Sequence, residues 1–199
     1  REATIDAAKI AGLSGYESDV VELINEPTAA IFHYANLPGV SVSGKVMVVD
    51  LGGGTFDVTI AEVSGKKVEV IHSEGNPSLG GKDFDRALLE FMSDKYKDQL
   101  GAELSIEDVE YILQAEELKK ILSTRENHAI IIDGPNGPSK KIEISRSKFN
   151  ELVSSLIEAI KLKMSSCVKK SGLDKSDITQ VLLVGGSTRM PCVVDAITE

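Results

Sequence analysis

The amino-acid sequence predicts an α/β fold that carries a helix-rich insertion at about residues 80 to 147. Three observations lead there. Lys45 to Asp50 is a short apolar run, and beyond Gly52-Gly53-Gly54 the residues Val58 and Ile60 alternate with Asp57 and Thr59, the period of a strand. Phe149, Leu152, Val153, Leu156, Ile160, Met164 and Cys167 follow i, i+3 and i+4 steps, the period of an amphipathic helix ending at Gly172. Val181 to Val184 is an apolar strand that runs directly into Gly185-Gly186-Ser187.

Taken from the start, Ala3 to Ala11 has helical spacing and stops at Gly12, and Ser14 to Ser18 reads as a loop. Val20 to Ile24 reads as a short strand. Pro27 opens a helix to about Asn36, because proline's missing N–H is unpaired in a first turn anyway. After the two strands around the glycines, Ser64-Gly65-Lys66 turns into a third, Val68 to His72. Helices are expected at about Phe84 to Leu100 and Ile106 to Ser123, the second with Ser105 as its cap. Ala129 to Asp133 and Lys141 to Ile144 flank Gly134-Pro135-Asn136-Gly137-Pro138 and form a hairpin. The long helix, the final strand and a glycine-led helix complete the order.

Composition narrows the function classes. The 199 residues are 42% hydrophobic and 27% charged, with no tryptophan, so the core is mostly aliphatic. A net charge of -9 argues against a nucleic-acid groove, which needs cations for phosphate. No apolar run approaches membrane-spanning length, and no signal peptide is visible. The chain opens at Arg1 without a methionine. A cytoplasmic location is expected, with an organellar lumen left open. Cys167 and Cys192 are read as buried thiols, and His33, His72 and His128 are too isolated for a zinc site.

Five segments carry candidate chemistry. Asp50-Leu51-Gly52-Gly53-Gly54-Thr55-Phe56-Asp57 lies between two strands. Glycines leave no Cβ between amide N–H groups and a bound anion, and successive amides form anion nests. Thr55 offers a hydroxyl to phosphate, and Asp50 at a strand exit suits a magnesium ion held through water. A glycine-rich hairpin without a ligand is the alternative. Glu26, in Asn25-Glu26-Pro27-Thr28-Ala29-Ala30, either organises metal-bound water or complements the dipole of its helix.

Gly80 and Gly81, in Leu79-Gly80-Gly81-Lys82-Asp83-Phe84-Asp85, enter a helix whose N-terminus suits phosphate or ribose. Glu116, Lys119, Lys120 and Ser123 share one helix face opposite Ala115, Leu118 and Leu122, either as a nucleoside grip or as a solvated ion-pair face. In Val184-Gly185-Gly186-Ser187-Thr188-Arg189-Met190-Pro191 the glycines permit close approach, and Arg189 suits stacking on a purine. No P-loop and no dinucleotide fingerprint occur, and Ser123 and Ser187 lack a neighbouring histidine.

Asn25 to Ala30, Asp50 to Val58, Leu79 to Asp85 and Gly185 to Pro191, in that order, resemble successive signatures of the seventy-kilodalton heat-shock protein family of chaperones. The resemblance spans essentially the whole chain. It implies the actin-like (ribonuclease H-like) ATPase fold, two lobes around a nucleotide cleft. On that basis residues 1 to 40 are the end of lobe I, 41 to 79 with 148 to 199 the inner subdomain of lobe II, and 80 to 147 its outer subdomain. The implied ligands are ATP or ADP with magnesium. Glu26 and Asp50 become catalytic carboxylates near the metal and the attacking water. Gly52, Gly53, Gly54 and Thr55 cradle phosphates, with Asp57 supporting that loop, and Gly80 and Gly81 line the site. Glu116, Lys119, Lys120 and Ser123 contact the nucleoside, and Gly185, Gly186, Ser187 and Arg189 close over the adenosine.

The implied partners are unfolded polypeptide clients, J-domain co-chaperones and nucleotide-exchange factors. The chain departs from the family in three ways. Lys120 stands where arginine usually stacks on adenine, and the loop at Ser14 to Ser18 is a few residues longer than usual. Most of lobe I, with its phosphate loop and catalytic lysine, is not represented. Residues 1 to 199 alone are therefore expected to bind nucleotide weakly and not to turn over. A small-molecule kinase of the same superfamily and a non-catalytic regulatory relative are the competing readings.

Overall fold

The computed structural model describes residues 2–13, 23–100, 104–134 and 137–199. The chain divides into two units, Arg1–Val42 and Ser43–Glu199. In the first, α1 (Glu2–Ile10) ends because Gly12 adopts φ +75° and lets the chain turn back on the helix. Gly12 N–H donates to Lys9 O and Leu13 N–H to Ala8 O, the two bonds of a Schellman cap. α2 (Glu26–Ala35) starts one residue before Pro27, and the Asn36 amide closes it on Phe32 O. Of the expected strand Val20 to Ile24, positions 20–22 and the whole loop 14–18 lie outside the described residues; Leu23 and Ile24 are not in a strand.

The second unit is built on a four-stranded mixed sheet. β1 (Gly44–Leu51), β2 (Phe56–Ser64) and β3 (Lys67–Asn76) form an antiparallel meander. β6 (Ile178–Val184) joins it parallel to β1, giving the order β3-β2-β1-β6. Val46, Met47, Val48 and Val49 are all buried, so β1 reads as a continuous apolar run rather than an alternating one. β3 extends four residues past the expected His72, to Asn76, pairing with β2 as far as Phe56.

Two helices and a hairpin fill the insertion. α3 (Gly81–Leu100) begins three residues earlier than periodicity suggests. It buries Phe84, Leu88, Met92 and Tyr96, and each such side chain contributes roughly 1.5–3 kcal/mol. α4 (Val109–Thr124) is capped by Asp108, whose carboxylate accepts from Glu110 N–H. The expected cap Ser105 instead accepts from Glu107 N–H in the preceding turn. β4 (Asn127–Ile132) and β5 (Lys140–Ser145) pair antiparallel.

The long helix expected through Phe149 to Gly172 is two helices, α5 (Arg146–Leu152) and α6 (Ser154–Ser171), broken at buried Val153. Ser154 Oγ there donates to Glu151 O, and hydroxyls next to a β-branched residue favour such local bonds over a straight helix. The apolar period continues across the kink, so spacing alone does not show it. α6 packs on β2 and β3, with Cys167 Sγ 3.6 Å from Val58 O. α7 (Pro191–Thr198) closes the unit. Among the described residues, no helix is long and apolar enough to cross a membrane.

Candidate functional site

β1 and β6 run parallel, so their carboxyl ends arrive together: Asp50 stands beside Val184, and a glycine turn follows each strand. That end of an α/β sheet is where ligand groups gather. Across the other edge Asp50 faces Asp57, and the four residues between Leu51 and Phe56 form a tight connection closed by Gly52 N–H to Thr55 O at 3.0 Å.

Three glycine turns meet here. Gly81 N–H donates to Gly52 O at 2.9 Å and Lys82 N–H to Gly53 O at 2.8 Å, so the start of α3 is sewn to the first turn. Ser187 Oγ donates to Gly52 O at 3.0 Å, which ties in the turn after β6. Gly185 adopts φ +88° and ψ 147°, a region open essentially to glycine alone, and an added Cβ would meet Leu51 O at 2.3 Å and Asp50 Oδ1 at 2.9 Å. At Gly81 a Cβ would lie 2.6 Å from Ser187 Oγ and 3.1 Å from Lys119 Nζ. Gly53 is the opposite case: it is exposed, and among the described residues a Cβ there would meet nothing within 4 Å. The interior of the cluster is packed backbone to backbone, while Gly53 at its rim is exposed.

A family model described as Hsp70 protein matches residues 1–199. The chain belongs to the Hsp70 family. These proteins are nucleotide-binding chaperones with an actin-like ATPase fold, and the mixed α/β sheet of this chain is consistent with that fold.

For an Hsp70 chain, the geometry of Lys119 corrects the solvated-face reading of α4. Its ammonium is buried, 2.8 Å from Asp85 Oδ1 and donating to Gly81 O at 3.1 Å, with side-chain exposures of 10% and 13% for the two partners. Breaking one half of such a buried pair costs about 3–5 kcal/mol. Burial pushes the Asp85 carboxyl up, and the Lys119 ammonium beside it works against that shift.

Glu116 and Lys120 do form an exposed i, i+4 pair at 2.9 Å, where water screens most of the attraction. The Lys120 hydrogen bond lowers the Glu116 carboxyl, and the same bond raises the Lys120 ammonium. Ser123 Oγ donates to Lys119 O within the helix. Arg189 is exposed at the end of the 3-10 turn Gly186–Arg189. Asp57 lies over Gly75 of β3, where a Cβ would sit 2.3 Å from its Oδ1.

Glu26 opens α2 in the first unit, and the cluster belongs to the second. Among the described residues no group of three or more His, Cys, Asp or Glu side chains is placed to hold a metal directly. Sequence reasoning missed two supports in a segment it had singled out. Asp83 Oδ2 accepts from Gly80 N–H at 2.7 Å, the reciprocal half of a capping box that the Gly80-x-x-Asp83 spacing encodes. Asp85 is the counter-ion of Lys119, and a carboxylate one turn into an amphipathic helix gives no local sign of that.

Proposed function

We propose that this chain is the greater part of a chaperone ATPase domain that binds ATP or ADP with magnesium, and whose intact form hydrolyses ATP to control its hold on unfolded polypeptide. Residues 1 to 40 then complete lobe I, residues 41 to 79 with 148 to 199 form the inner subdomain of lobe II, and residues 80 to 147 form its outer subdomain. The observation that carries this reading is the joined pair of turns: Gly52 O and Gly53 O are held by α3, and Gly53 keeps open space in front of it. A braced, exposed glycine turn suits a polyphosphate because peptide N–H groups approach oxygen without side-chain interference.

Gly53, Gly54 and Thr55 receive the phosphates, Gly52, whose N–H is committed to Thr55 O, closes their turn, and Asp57, braced over Gly75, supports the loop. Gly80 and Gly81 act as the floor of the site, since their amides are committed to Asp83 and Gly52. Glu116, Lys119, Lys120 and Ser123 border the nucleoside, and Gly185, Gly186, Ser187 and Arg189 cover it. Asp50 would hold magnesium through water, and the ion would supply neutralising charge to phosphate oxygens. Asp50 would also help orient the attacking water, and Glu26, in the first unit, is the second carboxylate that the family motif assigns to that role. Clients, J-domain co-chaperones and exchange factors are the partners, and the cytoplasm or an organellar lumen is the working compartment.

Titration calorimetry with Mg-ADP tests the reading. The full-length protein is expected to bind, while residues 1–199 alone bind weakly, because positioning needs groups from both lobes. No binding by the full-length protein, or steady multiple turnover by residues 1–199 alone, would overturn it.

A further inference from the structure

α3 and α4 are joined at the site by one buried charge pair, and its two members differ in what they touch. Lys119 reaches the glycine cluster: its Nζ donates to Gly81 O and borders the Gly81 α-carbon beside Ser187 Oγ. The Asp85 carboxylate faces the cluster through Lys119, 2.8 Å from its ammonium. A lysine ammonium is a compact, strongly hydrated charge on a flexible four-carbon stem, so it stays in a dry position only where a counter-charge holds it. Without that carboxylate the stem has no reason to remain behind Gly81 rather than extend to water.

We propose that Asp85 is a positioning residue for nucleotide binding: it holds the Lys119 ammonium against Gly81 O and so keeps α4 at a fixed distance from the three glycine turns. This rests on the nucleotide reading above and adds a residue and a route of action to it. Asp85 touches no ligand in this scheme. It acts through the cation, which makes its contribution conditional on Lys119.

A double-mutant cycle in the full-length protein, read by Mg-ADP calorimetry, tests that condition. Asp85→Asn is expected to weaken binding about tenfold, the scale of one charge-assisted hydrogen bond. Lys119→Met weakens it as well, and the double variant is no weaker than Lys119→Met alone. Asp85→Glu, which keeps the carboxylate, restores most of the affinity. Should Asp85→Asn fail to fold, the apolar pair Asp85→Leu with Lys119→Met supplies packing in place of charge and is expected to bind no better than Lys119→Met. Wild-type affinity in that pair, equal losses from Asp85→Asn with and without Lys119, or no loss at all would overturn the proposal. If the unchanged protein does not bind Mg-ADP, the nucleotide reading falls and this proposal with it; binding by the unchanged protein with an additive cycle removes this proposal alone.

Discussion

Gly80 lies flat against the backbone of Gly54: a methyl group on Gly80 would come within 2.5 Å of the Gly54 nitrogen, α-carbon and carbonyl carbon. Backbone cannot yield as a side chain does. Gly80→Ala is therefore expected to push the start of α3 off the first turn and strain the bonds from Gly81 and Lys82 to Gly52 and Gly53. Overpacking of this kind costs about 1–3 kcal/mol. Urea unfolding checks it, the midpoint falling with little change in slope. Nucleotide affinity falls in the same variant.

A second prediction concerns how α6 is held on the sheet. Glu74 of β3 is paired with Lys170 and accepts from Ser166, both on α6, and His72 Nε2 lies 3.6 Å from it. The hydrogen bond from Lys170 brings its carboxyl down from 4.5 to about 2. A carboxyl lowered in the folded state stabilises fully above its unfolded value and loses that contribution as the pH falls. Stability is thus expected to decline between about pH 4.5 and 2 more steeply in the wild-type protein than in Glu74→Gln. Denaturant unfolding at stepped pH tests this, and parallel profiles for the two proteins would count against it.

The thiols give a third. Burial raises the Cys167 thiol to about 11 and the Cys192 thiol above its ordinary value. The thiolate is the reactive form, so both cysteines should resist alkylation at neutral pH in the native protein and react promptly once denaturant is added. Mass spectrometry of the alkylated chain counts the adducts. Rapid native labelling of Cys167 would show that α6 leaves the sheet readily.

Much of this architecture is legible in local sequence, for reasons particular residues make plain. β1 announces itself because a strand buried on both faces must be apolar throughout, and the glycine turns announce themselves because the contacts at Gly80, Gly81 and Gly185 leave no room for a side chain. The break at Val153 is not legible, since the kink preserves the apolar spacing that identifies a helix. The role of Lys119 is hidden differently. Its position on the helical wheel beside Glu116, Lys120 and Ser123 leaves a nucleoside grip and a solvated face both open, and the arrival of Asp85 from α3 is what makes its burial tolerable. Charge pairs between helices distant in sequence leave no periodic trace, whereas backbone contacts between turns do, as obligatory glycines.

Gly53→Ala tests the central claim most directly, because among the described residues nothing occupies the space its methyl would enter and Gly53 does not need a positive φ. Folding should be untouched, with an unfolding midpoint equal to that of the wild-type protein. The methyl would project where a phosphate oxygen is expected to sit, so Mg-ADP affinity measured by calorimetry should fall about tenfold or more. An unfolding midpoint and an affinity both equal to those of the wild-type protein would contradict the assignment of this turn as the phosphate cradle.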